Sequence, residues 1–339
     1  MLFFKSLSII RKASRWARFL INFFMIEVPK INLQNFILGS KKEKDKFIKD
    51  IGLAFEEIGF VSLKGHFLNK NLINKLYTEI NSFFHLPLKT KLQYEIKGLN
   101  GQRGYTSFGK EHAKGRKVGD LKEFWHFGQE INKNTFNKKY PSNIEVNEIP
   151  IFNEIGMISY KMLEKTGREI LRALSIYLNL DEFYFDKYIL NGNSILRAIH
   201  YPPIKNKPKN AERAAPHGDI NLITLLMGAQ GKGLQLKTNN GSWIDAIAEP
   251  DELMINIGDM LSRLTNNKLK STIHRVTNPP KKMWGKSRFS IPFFMHPIDE
   301  MPLNCLRSCI NKKNPKNYND ISAGEFLNER LIEIGLMKG

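Results

Sequence analysis

The sequence predicts a mainly β domain of sandwich, barrel or jelly-roll type, wrapped by a helical N-terminal part. Three observations predict it. Up to Leu180 the apolar residues recur at helical spacing in three long segments. From Ser194 the texture changes to short β-like runs separated by Gly, Pro, Asn and Asp. Too little chain lies between those runs for the helices that a doubly wound parallel sheet needs.

In chain order, the segment from Met1 to Phe24 carries Lys5, Arg11, Lys12, Arg15 and Arg18, no acid, and many apolar residues. The basic cluster breaks up any span of about 20 apolar residues, so no transmembrane helix is predicted. An amphipathic helix with weak membrane-surface contact is one reading of residues 1–24. The preferred one is an extension ahead of a domain that starts at Met25, where "MIEVPKINLQNF" begins. Glu43 to Gly59 reads as a helix through Phe47, Ile51, Ala54, Phe55 and Ile58, and Gly59 stops it. Asn71 to Leu86 repeats the pattern until Pro87. A loop with Gly98, Gly101, Gly104 and Gly109 follows, then "DLKEFWHFG". Ile151 to Leu180 reads as one long helix. The β-like runs are "SILRAIHY", "NLITLLMG", "GLQLKT", "SWIDAI", "ELMINIG", "KSTIHRV" and "SRFSIPFF". Gly258 and Asp259 fit a tight connection between strands, and Leu222, Leu225, Ile255, Ile257 and Ile291 are core positions. The expected organisation is a basic extension (1–24), a helical or mixed region (25–135), a supporting helix (136–190), the β domain (191–300) and a helical C-terminal segment (301–339).

Composition narrows the function. With 42% hydrophobic residues and 23 Phe, the chain of 339 residues can fill a large core, which excludes disorder. A net charge of +19 invites a nucleic-acid reading. The basic residues, however, are scattered through the chain with no dense basic helix or aromatic platform, so nucleic-acid binding is the weaker reading. The same balance mildly favours an acidic small-molecule substrate. Two cysteines, Cys305 and Cys309, are too few for a structural zinc site, and the chain reads as cytoplasmic and free of disulfides. Nothing indicates a protein partner or an oligomeric state.

The chemistry concentrates in "PHGDINLITLL". On an extended backbone His217 and Asp219, at i and i+2, face the same side and can meet one ion. His274 follows in "KSTIHRV". Two imidazoles and one carboxylate that leave the opposite metal positions open are the mark of non-haem iron(II) oxygenases, although zinc would also bind them. Alone, an H-x-D pair is more often a hydrogen-bonded surface pair than a metal site. In "SRFSIPFF", the i, i+2 spacing of Arg288 and Ser290 sets a guanidinium and a hydroxyl on one face. That fork suits a carboxylate such as the distal one of 2-oxoglutarate, whereas the bland reading of Arg288 is a surface strand residue. Arg275 reads as a structural charge in need of a partner.

These motifs come in the order found in a known family. From about Pro29 to about Pro297 the chain resembles the isopenicillin N synthase-like 2-oxoglutarate/Fe(II) dioxygenases. The resemblance rests on "VPKINL", "AFEEIGFVSLKGH", "FFHLP" and "DLKEFWHFG", then on "YPP", "PHGDINLITLL", "GLQLKTNNGSWIDA", "NIGDMLSRLTNNKLKSTIHRV" and "RFSIPFF". It implies a distorted double-stranded β-helix, or jelly roll, and an oxidoreductase. It also implies iron(II) ligation by His217, Asp219 and His274, and 2-oxoglutarate binding by Arg288 and Ser290 with the Tyr201 hydroxyl. Phe294 is the candidate for the substrate side of the pocket, against a core role that a Phe there fills as often. His66 stands where the family has a His after the first helix and is given no role. The plant enzymes often carry an Asn where this chain has Ile199, so one polar co-substrate contact is missing. The implied reaction consumes O2 and 2-oxoglutarate, with ascorbate as a supporting reductant. It hydroxylates a small organic substrate and releases succinate and CO2. Two alternatives stay within the family: an ethylene-forming reaction, and an oxidase that keeps R-x-S without using 2-oxoglutarate. Outside it, a metal-binding or nucleic-acid-binding module remains.

Overall fold

The computed structural model describes residues 27–99, 101–112, 118–130, 140–208, 211–227 and 233–333. The extension of residues 1–24 therefore lies outside the described residues. Two sheets face each other. Among the described residues the major sheet has nine strands. They run in the order β1 (Lys30–Asn32), β2 (Phe60–Lys64), β10 (Leu253–Ile257), β7 (Ile223–Met227), β13 (Pro292–Met295), β5 (Ile195–Tyr201), β4 (Glu123–Gly128) and β3 (Gly104–Thr106), with β12 (Arg288–Ser290) also paired to β5. The minor sheet runs β6 (Ala214–His217), β11 (His274–Val276), β8 (Leu234–Lys237), β9 (Trp243–Asp245). Both sheets are antiparallel except for the β1–β2 pair. This is the expected jelly roll.

Helices cover the outer face of the major sheet: α1 (Gln34–Ile37), α2 (Lys41–Glu57), α3 (Lys70–Phe84), α4 (Leu88–Gln93), α5 (Phe152–Tyr177) and α6 (Asp186–Ile189). A capping box starts α2, in which the Ser40 amide donates to Glu43 Oε2 at 2.8 Å while Ser40 Oγ accepts from the Glu43 amide. Asn69 caps α3 by accepting from the Leu72 amide at 2.9 Å. The long α5 lies against β4, β5, β7 and β13 and carries α2 and α3 on its other side. Two glycines allow that approach. A Cβ at Gly156 would stand 2.4 Å from the Phe127 ring, and one at Gly167 would stand 2.5 Å from Met295 Sδ. The main core lies between these helices and the sheet, with Phe55, Phe83, Trp125, Phe152 and Phe293 completely or almost completely buried. Leu222, Leu225, Ile255, Ile257 and Ile291 are fully buried, as expected.

Three expectations need correction. Gly258 and Asp259 do not join strands: Gly258 is the N-cap of a short helix, α7 (Asp259–Leu264). The supporting helix is shorter than 136–190, because the chain from Tyr140 to Ile149 is irregular and folds back over α5, where Asn153 bonds the backbone of Ile144 and Val146. Among the described residues, the C-terminal segment is helical only in a 3-10 turn, Arg307–Cys309, and in α8 (Ala323–Glu333). Between them the backbone is held by Asn266, whose amide donates to Pro315 O at 3.0 Å. Cys305 and Cys309 are free and buried there.

Candidate active site

The minor sheet brings the two imidazoles together. His217 ends β6, and its Cα partner across the ladder is His274, the first residue of β11. Asp219 stands just beyond the end of β6, so a turn rather than a continuous strand returns its carboxylate to the imidazoles. Asp219 Oδ1 lies 3.9 Å from His217 Nε2 and 3.6 Å from His274 Nε2. One ligand atom from each residue falls within 4.8 Å of the others.

The surroundings fix which atoms face inward. His217 Nδ1 meets the Ala215 carbonyl at 2.6 Å and His274 Nδ1 meets that of Thr272 at 3.1 Å. A carbonyl can only accept, so each Nδ1 carries the proton and each Nε2 offers its lone pair. Asp219 Oδ2 accepts from Thr224 Oγ1 at 2.6 Å and Asn256 Nδ2 at 2.8 Å, which leaves Oδ1 for an ion. Burial, with His274 alongside, pushes the His217 imidazole down to about 4, so it is neutral and ready to ligate at pH 7. Burial pushes the Asp219 carboxyl up, but the two imidazoles and the two hydrogen bonds outweigh it and hold the group below its ordinary value. Two neutral nitrogens and one anionic oxygen fit a divalent transition metal, and the carbonyls, Thr224 and Asn256 fix the orientation of the donors.

A second group of residues lies on the major sheet. β12 pairs with β5 so that Arg288 faces Tyr201 and Ser290 faces Ile199. Arg288 is only 3% exposed, and among the described residues none of its three guanidinium nitrogens has a hydrogen-bond partner. A buried, unpaired cation is among the most expensive groups a fold can hold, and a bound carboxylate removes that cost. The Tyr201 ring lies 5.1 Å from Arg288 and 5.7 Å from a second buried cation, Arg213, whose Nε is also unpartnered. Ser290 and Tyr201 line the central cavity.

That cavity, of about 540 Å³, lies between the sheets. Along β5 every second residue faces it: Asn193 just before the strand, then Ile195, Arg197, Ile199 and Tyr201. The adjacent row in the same sheet is Ser290, Pro292, Phe294 and His296. Phe294 is thus on the cavity wall, with the Arg197 guanidinium 5.2 Å from its ring and 4.2 Å from that of Phe124. Arg197 Nε donates to His126 Nε2 at 2.5 Å and Nη1 to Glu111 at 3.1 Å. Lys122 bridges Glu111 at 2.8 Å and Asp120 at 2.9 Å, and Asp120 reaches the Ala215 amide, two residues before His217. Burial pushes the Glu111 carboxyl up, yet Arg197 and Lys122 win and hold it far below its usual range. Leu327 and Arg330 of α8 close one side of the cavity.

The sequence-predicted residues therefore fall into three places. His217, Asp219 and His274 converge, Tyr201, Arg288 and Ser290 gather beside a strand pair, and Phe294 lines the far wall. Arg275 finds its partner outside, where it donates to Gln235 at 2.9 and 3.0 Å and stacks on Trp243. His66 meets the Asp251 carbonyl, at 3.1 Å, away from the triad. Arg197, Arg213, His126, Asn193 and His296 were not anticipated. The alternation through "NSILRAIHY" was a usable signal for Asn193 and Arg197, since residues of one parity share a face with Tyr201. His126 sits opposite Arg197 only through the β4–β5 register.

Comparison with known proteins agrees with this geometry. Residues 28–149 match the model of the N-terminal region of non-haem dioxygenase in morphine synthesis, and residues 192–297 match that of the 2OG-Fe(II) oxygenase superfamily. A 1-aminocyclopropane-1-carboxylate oxidase of Dictyostelium discoideum is 30% identical over 308 residues, which cover 80% of this chain and 82% of that protein. The structure of a 2OG-Fe(II) oxygenase family protein from Caulobacter crescentus superposes with a TM-score of 0.81 at 41% identity, covering 91% of this chain and 99% of that one. A full-length Neurospora crassa protein in complex with alpha-KG and thymine gives a TM-score of 0.79 at 27% identity, covering 90% and 96%.

Proposed function

Because this chain belongs to the 2OG-Fe(II) oxygenase superfamily, we propose that His217, Asp219 and His274 hold its iron(II) and that Arg288, Ser290 and Tyr201 hold its 2-oxoglutarate. The chain is a 2-oxoglutarate-dependent dioxygenase, an oxidoreductase with iron as cofactor and the keto acid as co-substrate. The reaction proposed for it is hydroxylation of a small organic molecule, in which substrate C–H, O2 and 2-oxoglutarate give C–OH, succinate and CO2. Bound iron(II) and 2-oxoglutarate supply the O2 reduction and the oxidising power for C–H cleavage.

The residues of the chain bind, orient and exclude water. The carbonyls of Ala215 and Thr272 keep both Nδ1–H groups turned outward, and Thr224 and Asn256 hold Asp219 with one oxygen inward. Arg288 offers a planar fork to the distal carboxylate, with Ser290 and Tyr201 as hydroxyl donors beside it. Arg213, on the other side of Tyr201, adds positive charge where Ile199 offers none.

The observation that supports the reading is the buried Arg288 guanidinium, which has no hydrogen-bond partner among the described residues and stands across the ladder from Tyr201, which with Ser290 lines the cavity that also holds the triad. The test is a calorimetric titration of the anaerobic iron-loaded protein with 2-oxoglutarate, followed by succinate release in air. Arg288→Ala is expected to weaken 2-oxoglutarate binding by about 100-fold, the loss of a charge-assisted bidentate pair. Undiminished affinity in that variant would reject the co-substrate assignment, and undiminished metal uptake by His217→Ala would reject the ligand set.

A further inference from the structure

At the end of the cavity away from Arg288, two buried polar side chains lack the partners that burial demands, and a part-buried arginine lies beside them. Asn193 is 6% exposed, its Oδ1 has no partner, and its side chain makes no hydrogen bond among the described residues. His296 is 9% exposed, and its Nδ1 is equally unpartnered. Backbone contacts place these two together, since the Asn193 amide donates to the Pro297 carbonyl at 3.3 Å and a Cβ on Gly192 would meet the His296 carbonyl at 2.2 Å. Arg197 spends Nε on His126 and Nη1 on Glu111, and among the described residues Nη2 makes no hydrogen bond. Phe124 and Phe294 flank its guanidinium and give this end flat, apolar walls.

The charges here cancel. Glu111 and Asp120 offset Arg197 and Lys122, and His296, pushed down to about 4 by burial, is neutral at pH 7. The site therefore does not call for an anionic substrate, despite the +19 of the whole chain. A carboxamide supplies a donor and an acceptor side by side, a neutral imidazole supplies one of each, and Nη2 adds a donor. The complement of that set is a ring edge with a carbonyl next to an N–H. We infer that the primary substrate is a neutral, planar heterocycle with a lactam or imide edge, read by Asn193, His296 and Arg197 and stacked against Phe294. This rests on the oxygenase reading above. Thymine, the ring in the Neurospora crassa complex, is chemistry of this kind.

The anaerobic iron-loaded protein is first titrated with 2-oxoglutarate, then with thymine, uracil or 2-pyridone. 1,3-Dimethyluracil and N-methyl-2-pyridone, which lack the N–H, and benzoate, a planar anion, serve as comparisons. At least one lactam ring is expected to bind, and its N-methylated or anionic counterpart to bind at least about tenfold more weakly, because a site built to hydrogen-bond a group rejects analogues that lack it. Asn193→Leu is expected to lose that preference, while its 2-oxoglutarate titration reports that the variant is folded. Benzoate binding as tightly as the lactams, equal binding by the N-methylated rings, or no lactam binding would overturn the inference. Repeating the ring titrations without 2-oxoglutarate separates the two readings. A protein that takes a lactam but no keto acid rejects only the co-substrate assignment, and the converse rejects only the substrate class.

Discussion

At the residue scale, polar groups are held without partners where a ligand would supply them. Arg288 is the extreme case. Removing a buried, unpaired cation relieves a desolvation penalty, so Arg288→Ala should leave the melting temperature of the ligand-free protein unchanged or raise it. A calorimetric scan showing a loss of several degrees would mean that Arg288 is paired inside the fold. His296 gives a pH prediction. Its folded value of about 4 lies below the ordinary 6.5, so burial of the neutral ring stabilises the fold above pH 6.5. As pH falls, the unfolded chain takes up the proton first, and the contribution is lost between about pH 6.5 and 4. Between pH 7 and pH 5 the loss is about 2 kcal/mol. Urea denaturation of the metal-free protein should show that slope, and His296→Gln should reduce it.

At the element scale, α5 determines how closely the helical cover sits on the sheet. Gly in a helix interior costs about 1 kcal/mol relative to Ala, so a Gly→Ala change there would ordinarily stabilise. Here the two sites should differ. A Cβ at Gly156 meets the ring of buried Phe127, which cannot yield, and overpacking of this kind costs about 1–3 kcal/mol. A Cβ at Gly167 meets the flexible thioether of Met295, which can move aside. Gly156→Ala is expected to lower the denaturation midpoint and Gly167→Ala to change it far less. Equal effects would mean that the helix shifts as a body. The strand rows beside α5 matter in the same way, because β5 and the β12–β13 row hold the proposed co-substrate residues at one end and the proposed substrate-reading ones at the other.

At the scale of the whole molecule, the two sheets hold different parts of the chemistry. The minor sheet carries the proposed metal ligands and the major sheet the proposed organic-ligand residues, so ligands bridge the layers. Divalent metal should therefore raise the melting temperature, by about 2.7 kcal/mol of stability at 100 times its Kd, and a chelator should reverse the gain. His217→Ala should abolish the gain without lowering the metal-free melting temperature to the same extent. A metal-independent melting temperature in the wild-type chain would count against the triad. No helix among the described residues is long and apolar enough to cross a membrane.

Much of this was legible in the sequence because it is local. Strand spacing of i, i+2 places Arg288 with Ser290, the nearness of His217 and Asp219 in the chain was legible although the backbone leaves β6 between them, helical periodicity marks α2, α3 and α5, and ordered motifs identify the family. The rest depends on register and packing, which a linear pattern does not encode. Arg197 meets His126 only because β4 and β5 pair in one register. Glu111 and Lys122, eleven residues apart in the chain, become a buried pair only through the tertiary packing that brings them to 2.8 Å. Asn193 and His296 lie far apart in the chain and look like ordinary loop residues until burial removes their water. The sequence by itself determined the reaction class, since metal and co-substrate chemistry needs particular residue types at short spacing. Only the tertiary structure decided which polar groups at the far end of the cavity are left without partners, because an unpaired polar group is defined by everything packed around it.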